Sequence, residues 1–151
     1  MTHCPRRALL PVFLLMMGQV ASAAPAEGNC TVIIHVTGFR NSKGVLGAEL
    51  FTSSNGWPED VDKSFRHEHF PIEGDHAMAR FDHVPPGKYG VVVLHDENEN
   101  KKLDRNVFNI PKEGFGFANN PHVFLAAPAI EKATIPVTCP ETTTDIHLIY
   151  K

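Results

Sequence analysis

Short apolar stretches separated by turn-forming residues constrain the fold of this chain most. Residues 31–36 and 91–94 are rich in β-branched side chains, and residues 144–150 alternate apolar and polar types. No segment keeps a helical period over three turns, which argues against helices. About seven short strands in a chain of this size predict an all-β fold, a single β-sandwich.

The turn signals suggest how the strands follow one another. Residues 31–36 and 45–52 flank a turn-forming Asn-Ser-Lys-Gly sequence, so we predict that they form a β-hairpin. Residues 91–94 are continuously apolar, which predicts a central strand covered on both faces. Further strands are expected at residues 65–72, 76–81, 132–137 and 144–150, and residues 96–130 are expected to be irregular.

The N-terminal segment has the composition of a secretory signal peptide over residues 1–23. Arg6 and Arg7 precede an apolar run, and small residues follow it at Ala21-Ser22-Ala23. The run is shorter than the roughly 20 residues of a membrane span, so a transmembrane anchor is the less favoured interpretation. We therefore predict a signal peptide at 1–23, a linker at 24–29, a β-sandwich domain at 30–151, and a periplasmic or secreted location.

Signal cleavage would leave two cysteines, Cys30 and Cys139, next to the first and last predicted strands. In an oxidising compartment such a pair predicts a disulfide bond, in preference to two free or metal-bound thiols. Cleavage also removes two arginines and no acid, so the net charge changes from −3 to −5. No basic run remains, and binding to nucleic acid is not expected.

Residues 96–104 place oxygen-bearing side chains at the first, third, fifth and ninth positions, a spacing typical of calcium loops. The usual glycine at the sixth position is Lys101, and the usual glutamate at the twelfth is Val107. Two interpretations stay open: a weak Ca²⁺ site of roughly 10⁻⁴–10⁻³ M, or a turn whose side chains cap their own backbone. The candidate metal set is Asp96, Asn98, Asn100, Lys102 and Asp104.

The irregular stretch 96–130 is expected to carry the function, because long loops in compact domains are usually functional, and its 95–122 face is expected to bind the ligand. Its phenylalanines would either anchor the loop on the sandwich or contact a ligand, and anchoring is favoured. The candidate ligand face consists of His95, Glu113, Phe115, Phe117, Asn119 and Asn120.

Two alternatives involve histidine. His95 with Asp96 or Asp104 would suit a small periplasmic hydrolase, although no established hydrolase motif occurs. His67 and His69 alternate on a strand and would form half of a copper or zinc site.

Several motifs resemble a family of small exported bacterial proteins classed as a domain of unknown function. They are Pro-Pro-Gly-Lys-Tyr at 85–89, His-Asp-Glu-Asn-x-Asn-x-x-Leu-Asp at 95–104, and Pro-x-Glu-Gly-Phe-Gly-Phe-x-Asn-Asn at 111–120. More distantly, the Pro-Gly-Lys-Tyr turn is similar to prealbumin-like and carboxypeptidase-regulatory-like domains. This resemblance implies a Greek-key β-sandwich of the prealbumin-like or Ig-like type, and it implies no activity.

We therefore expect an exported, non-enzymatic binding or accessory module. Its ligand would be a protein, a glycan or a small molecule, and stable membrane insertion after signal cleavage is not expected.

Overall fold

The computed structural model describes residues 30–124 and 126–151, together with Met1. The predicted signal peptide and linker, apart from Met1, lie outside the described residues. Short 3-10 helices occupy Val61–Lys63 and Ile130–Ala133, and no helix in this part of the chain is long and apolar enough to cross a membrane. The strands are β1 (Cys30–Thr37), β2 (Val45–Phe51), β3 (Arg66–Phe70), β4 (His76–Val84), β5 (Gly87–Asp96), β6 (Gly114–Phe117), β7 (Thr134–Val137) and β8 (Glu141–His147).

The strands form two sheets, which confirms the prediction of an all-β sandwich. The first sheet has the order β4-β1-β8, and the second has the order β3-β2-β5-β6. Strand β1 is antiparallel to β4 and parallel to β8. Strand β5 pairs with β2 on one side, and on its other side β7 and β6 pair with successive parts of its length.

The main core lies between the two sheets and is built from alternate residues of each strand. In β1 every second residue is buried, and the same pattern holds in β4. Side chains of a strand point alternately to opposite faces, so each of these strands contributes one apolar face. The inward side chains are Val32, Ile34, Val36, Leu46, Ala48, Leu50, Ala77, Ala79, Phe81, Val91 and Val93.

A second apolar cluster covers the outer face of the larger sheet. It joins Val92 of β5 and Phe117 of β6 to Phe51 and to Ile130. Residues 91–94 are thus covered on both faces of the sheet, and the prediction of a central strand is confirmed.

The predicted hairpin of residues 31–36 and 45–52 is wrong. Strand β1 pairs with β4 and β8, whereas β2 pairs with β3 and β5 in the other sheet. The connection between them crosses the end of the sandwich and buries Phe39 in the main core. Turn-forming residues mark the reversal of the chain, but they do not distinguish a hairpin from a crossing between sheets.

One strand was missed, because β6 falls in the stretch that was predicted to be irregular. Its inward positions are glycines, which hid the usual alternation. A Cβ at Gly116 would lie 2.5 Å from Ile146, and one at Gly114 would lie 2.4 Å from the ring of Tyr150. Only glycine lets this strand approach the C-terminal segment so closely. The other strand predictions hold within a few residues, the last being β8 at Glu141–His147 rather than 144–150.

The disulfide between Cys30 and Cys139 is present, as predicted. It links the start of β1 to the turn between β7 and β8, so it ties the two sheets together at one end of the sandwich.

Candidate ligand cavity and the polar loop

Residues 96–104, here called the polar loop, fold around the carboxylate of Asp96. Its Oδ1 accepts the backbone N–H of Asn100 at 3.1 Å, and its Oδ2 accepts that of Lys101 at 2.7 Å. The side chain is fully buried at the end of β5. Asp96 therefore stabilises the turn by satisfying two backbone donors.

The other oxygen-bearing side chains of the polar loop bind one another and the backbone. The amide nitrogens of Asn98 and Asn100 donate to Asp104 at 2.8 and 3.0 Å. Their amide oxygens accept the N–H groups of Asn100 and Lys102 at 3.2 and 2.9 Å. The candidate residues are thus brought together, and these bonds match the self-capped turn. In the described residues, no group of three or more His, Cys, Asp or Glu side chains is arranged to hold a metal ion.

The backbone of the polar loop makes its sharp turn without glycine. Lys101 has a φ of 62° and Glu99 a φ of 59°, both in the left-handed region. That conformation costs a non-glycine residue roughly 1–2 kcal/mol. The hydrogen bonds to Asp96 compensate for this strain. The turn therefore forms although the glycine usual at its sixth position is absent.

Glu113, expected on a ligand face, instead braces the polar loop. It lies just before β6 and is buried, and its two carboxylate oxygens accept the backbone N–H groups of Glu97 and Asp104 at 3.0 and 2.9 Å. Burial raises the pKa of Glu113, and the two hydrogen bonds oppose that rise. Its role is to hold both ends of the loop against β6.

His95 is likewise a buried structural residue. Its Nε2 donates to the carbonyl of Lys43 at 2.8 Å, so in the neutral ring Nδ1 accepts from the hydroxyl of Tyr150 at 2.7 Å. The nearest carboxylate oxygen belongs to Glu97, at 3.9 Å. The pairing with Asp96 or Asp104 that the hydrolase alternative required is therefore not found.

Asn119 and Asn120 also serve the fold. Both adopt left-handed φ angles, and Asn119 donates to the carbonyls of Lys132 and Thr134. Asn120 donates to the carbonyl of Asp145 and accepts the N–H of His147. They fasten the end of β6 to the strands that follow it in the chain.

Phe115 and Phe117 belong to strand β6 of the larger sheet rather than to a loop anchored on it, and they line a cavity. The cavity has a volume of about 790 Å³ and lies on the outer face of the larger sheet. Its floor is apolar, since Val92 pairs with Phe117 and Leu94 pairs with Phe115 across two neighbouring strands. The walls come from loops, and include Leu103, Phe108, Ile110, Pro111, Val123 and Phe124.

Glu49 is the site residue that the sequence did not reveal. It lies on β2, opposite Val92 of β5, and lines the cavity. Burial raises the pKa of its carboxyl from 4.5 to about 7, and its Oε2 has no hydrogen-bond partner. In the sequence, Glu49 stands between the inward residues Ala48 and Leu50, so it is expected to face solvent. Its desolvation comes from the loops that cover it in the folded protein.

The two histidines of the proposed transition-metal site lie on the edge strand β3. His67 pairs with Glu49 and His69 with Gly47, and both histidines are exposed. Within the described residues they have no third ligand.

The loops that line the cavity carry more cationic than acidic side chains, and these cationic side chains are here called the basic rim. They are Lys101, Lys102, Arg105 and Lys151. Arg105 pairs with Glu59, and Nζ of Lys151 donates to the carbonyl of Val123 at 2.8 Å. The site thus combines an apolar floor, one desolvated acid on the sheet and a basic rim on the loops.

Comparison with known proteins places the chain in a family. Neither a curated protein nor a solved structure matches it. A family model described as "Uncharacterized protein conserved in bacteria (DUF2141)" matches residues 34–145. The match runs from within β1 to within β8 and includes the cavity floor and the polar loop. On this match, which covers most of the chain, the protein belongs to the DUF2141 family of bacterial proteins.

Proposed function

We propose that this protein is an exported binding module that holds a small, mainly apolar molecule in the cavity on its outer sheet face. The observation that carries the proposal is the apolar floor formed by Val92, Leu94, Phe115 and Phe117. Ligand sites are typically cavities of about 300–1,000 Å³, lined by apolar and aromatic side chains with a few polar groups. The cavity of about 790 Å³ has this size and this lining.

The lining favours a small molecule over the other ligand classes expected from the sequence. A glycan needs many hydrogen-bonding partners, and the floor residues offer apolar side chains only. A protein segment needs an extended exposed surface, whereas this site is a concave space bounded by loops from three parts of the chain.

Export is supported by two independent features. Residues 1–23 have the composition of a signal peptide. The disulfide between Cys30 and Cys139 is of a kind that persists in oxidising compartments. A periplasmic or secreted protein would meet apolar molecules outside the cytoplasm.

The proposal is tested with N-phenyl-1-naphthylamine, a neutral probe whose fluorescence rises in apolar surroundings. We expect the wild-type protein to bind it with a Kd on the order of micromolar. Leu94→Trp should fill the cavity and weaken binding by about tenfold or more. Met78→Trp, at an exposed position on the other sheet, is the matched control and should bind like the wild type.

The proposal is wrong if the probe fails to bind at about 100 μM protein, or if Leu94→Trp binds as well as the control. Circular dichroism establishes beforehand that both variants are folded.

A further inference from the structure

We propose that Glu49 selects the ligand, and that the cavity takes a molecule with an apolar body and a protonated amine that donates a hydrogen bond to Oε2 of Glu49. This inference rests on the proposed function above, because it assigns a chemical class to the ligand of the same cavity.

Position is the first support. Glu49 lies within the row His67–Glu49–Val92–Phe117 that crosses the outer face of the sheet. Side chains in one row of a sheet share a face, so the carboxyl adjoins the apolar floor. A ligand resting on Val92 and Phe117 would bring a terminal group to Glu49.

The unpartnered oxygen is the second support. Among the described residues, Oε2 of Glu49 is the only buried side-chain nitrogen or oxygen atom without a hydrogen-bond partner. Leaving a buried polar group unsatisfied is costly, so such atoms are rare in folded proteins and call for an explanation. A donor supplied by a ligand would satisfy this oxygen.

Charge is the third support. None of the described ion pairs includes Glu49. The charged or titratable groups that border the cavity or neighbour Glu49 in the sheet are His67, Glu59, Lys101, Lys102, Arg105 and Lys151. Arg105 is bound to Glu59, and Lys151 is held by a backbone carbonyl. Lys101 and Lys102 also line the cavity, but neither forms an ion pair with Glu49. A ligand ammonium at Oε2 would give ionised Glu49 its counter-charge, whereas a ligand carboxylate there would be repelled.

The test uses decylamine, decanol and decanoate, which share one alkyl chain and differ in the head group. Each compound is titrated against the complex of the wild-type protein with the naphthylamine probe at about pH 8. Its concentration is kept below its own critical micelle concentration. We expect decylamine to displace the probe at about tenfold lower concentration than decanol, with decanoate the weakest. Glu49→Gln should remove the preference for the amine over the alcohol, and the exposed Glu68→Gln should keep it.

The pH dependence gives a second readout. Because burial raises the pKa of Glu49 to about 7, the roughly tenfold advantage of the amine should disappear as the pH falls by about one to two units below that value, while the binding of decanol should be unaffected. His67→Gln should retain this dependence, which separates Glu49 from its neighbour in the row.

The outcomes distinguish the two proposals. If the probe binds but decylamine is no better than decanol, or if Glu49→Gln keeps the preference, the inference is wrong and the proposed function stands. A preference for decanoate would also overturn the inference and would assign recognition to the basic rim. If the probe does not bind at all, both proposals fail.

Discussion

Replacing Glu49 with glutamine should stabilise the protein at neutral and alkaline pH. In the unfolded chain the carboxyl has its ordinary pKa of 4.5, whereas burial in the folded protein raises the pKa to about 7. One pKa unit corresponds to about 1.4 kcal/mol, so ionising Glu49 in the folded state costs about 3.5 kcal/mol at most. The side chain is only partly buried, which makes this figure an upper limit.

The sign follows from proton linkage. Between pH 4.5 and about 7 the folded protein holds a proton on Glu49 that the unfolded chain releases. The stability of the wild type therefore falls as pH rises through this window, and the full cost is present above about pH 7. Glutamine does not titrate, so the stability of the variant does not decrease through this pH window on account of position 49.

Urea denaturation of both proteins at about pH 4.5 and about pH 8.5 measures the difference. We expect nearly equal stabilities at the lower pH, and a variant that is more stable by up to about 3.5 kcal/mol at the higher pH. Glu68→Gln, on the neighbouring strand and exposed, should show no such gain. The reasoning is refuted if the difference between wild type and Glu49→Gln is the same at both pH values.

Other contacts lead to further predictions. Tyr150→Phe should lower the free energy of unfolding by about 1–3 kcal/mol, since it leaves the buried Nδ1 of His95 unpaired, and urea denaturation measures this. Lys101→Gly should raise that free energy by about 0.5–1 kcal/mol through relief of a left-handed φ; a loss would contradict the strain argument. Replacing Cys30 and Cys139 with serine should cost about 4–5 kcal/mol, which denaturation with and without reductant checks. Millimolar calcium should leave the melting temperature unchanged, because the side chains of the polar loop already bind its backbone; a rise would favour the calcium hypothesis instead.

The sequence predicted the class of the fold because β-sandwich strands carry their own signals. Alternation in β1 and β4, and the continuous apolar run in β5, follow directly from which faces are buried. Which strands pair with one another was harder to predict from the sequence. Strands β1 and β2 each present one apolar face whether or not they lie in the same sheet. The connection between the two strands buries Phe39 in the core, and no local pattern predicts that position.

Only part of the candidate site was predicted from the sequence, because burial by distant loops leaves no local pattern. Phe115 and Phe117 were identified from an unusual local sequence, and they line the cavity. Glu49 was missed, because its burial comes from loops that lie far from it in the sequence and cover it only in the folded protein. His95 and Glu113 looked like ligand groups, since composition does not reveal that backbone groups and Tyr150 already satisfy them.

The parallel pairing of β1 with β8 also determines when folding can finish. Thr31 pairs with Glu141, 110 positions further along the chain, so the smaller sheet is incomplete until β8 has emerged from the ribosome. Such long-range pairing slows folding, because the entropy cost of closing the long loop comes before the contacts that reward it. A chain cut before β8 would leave β1 with an open edge of backbone N–H and C=O groups, able to pair with a second molecule.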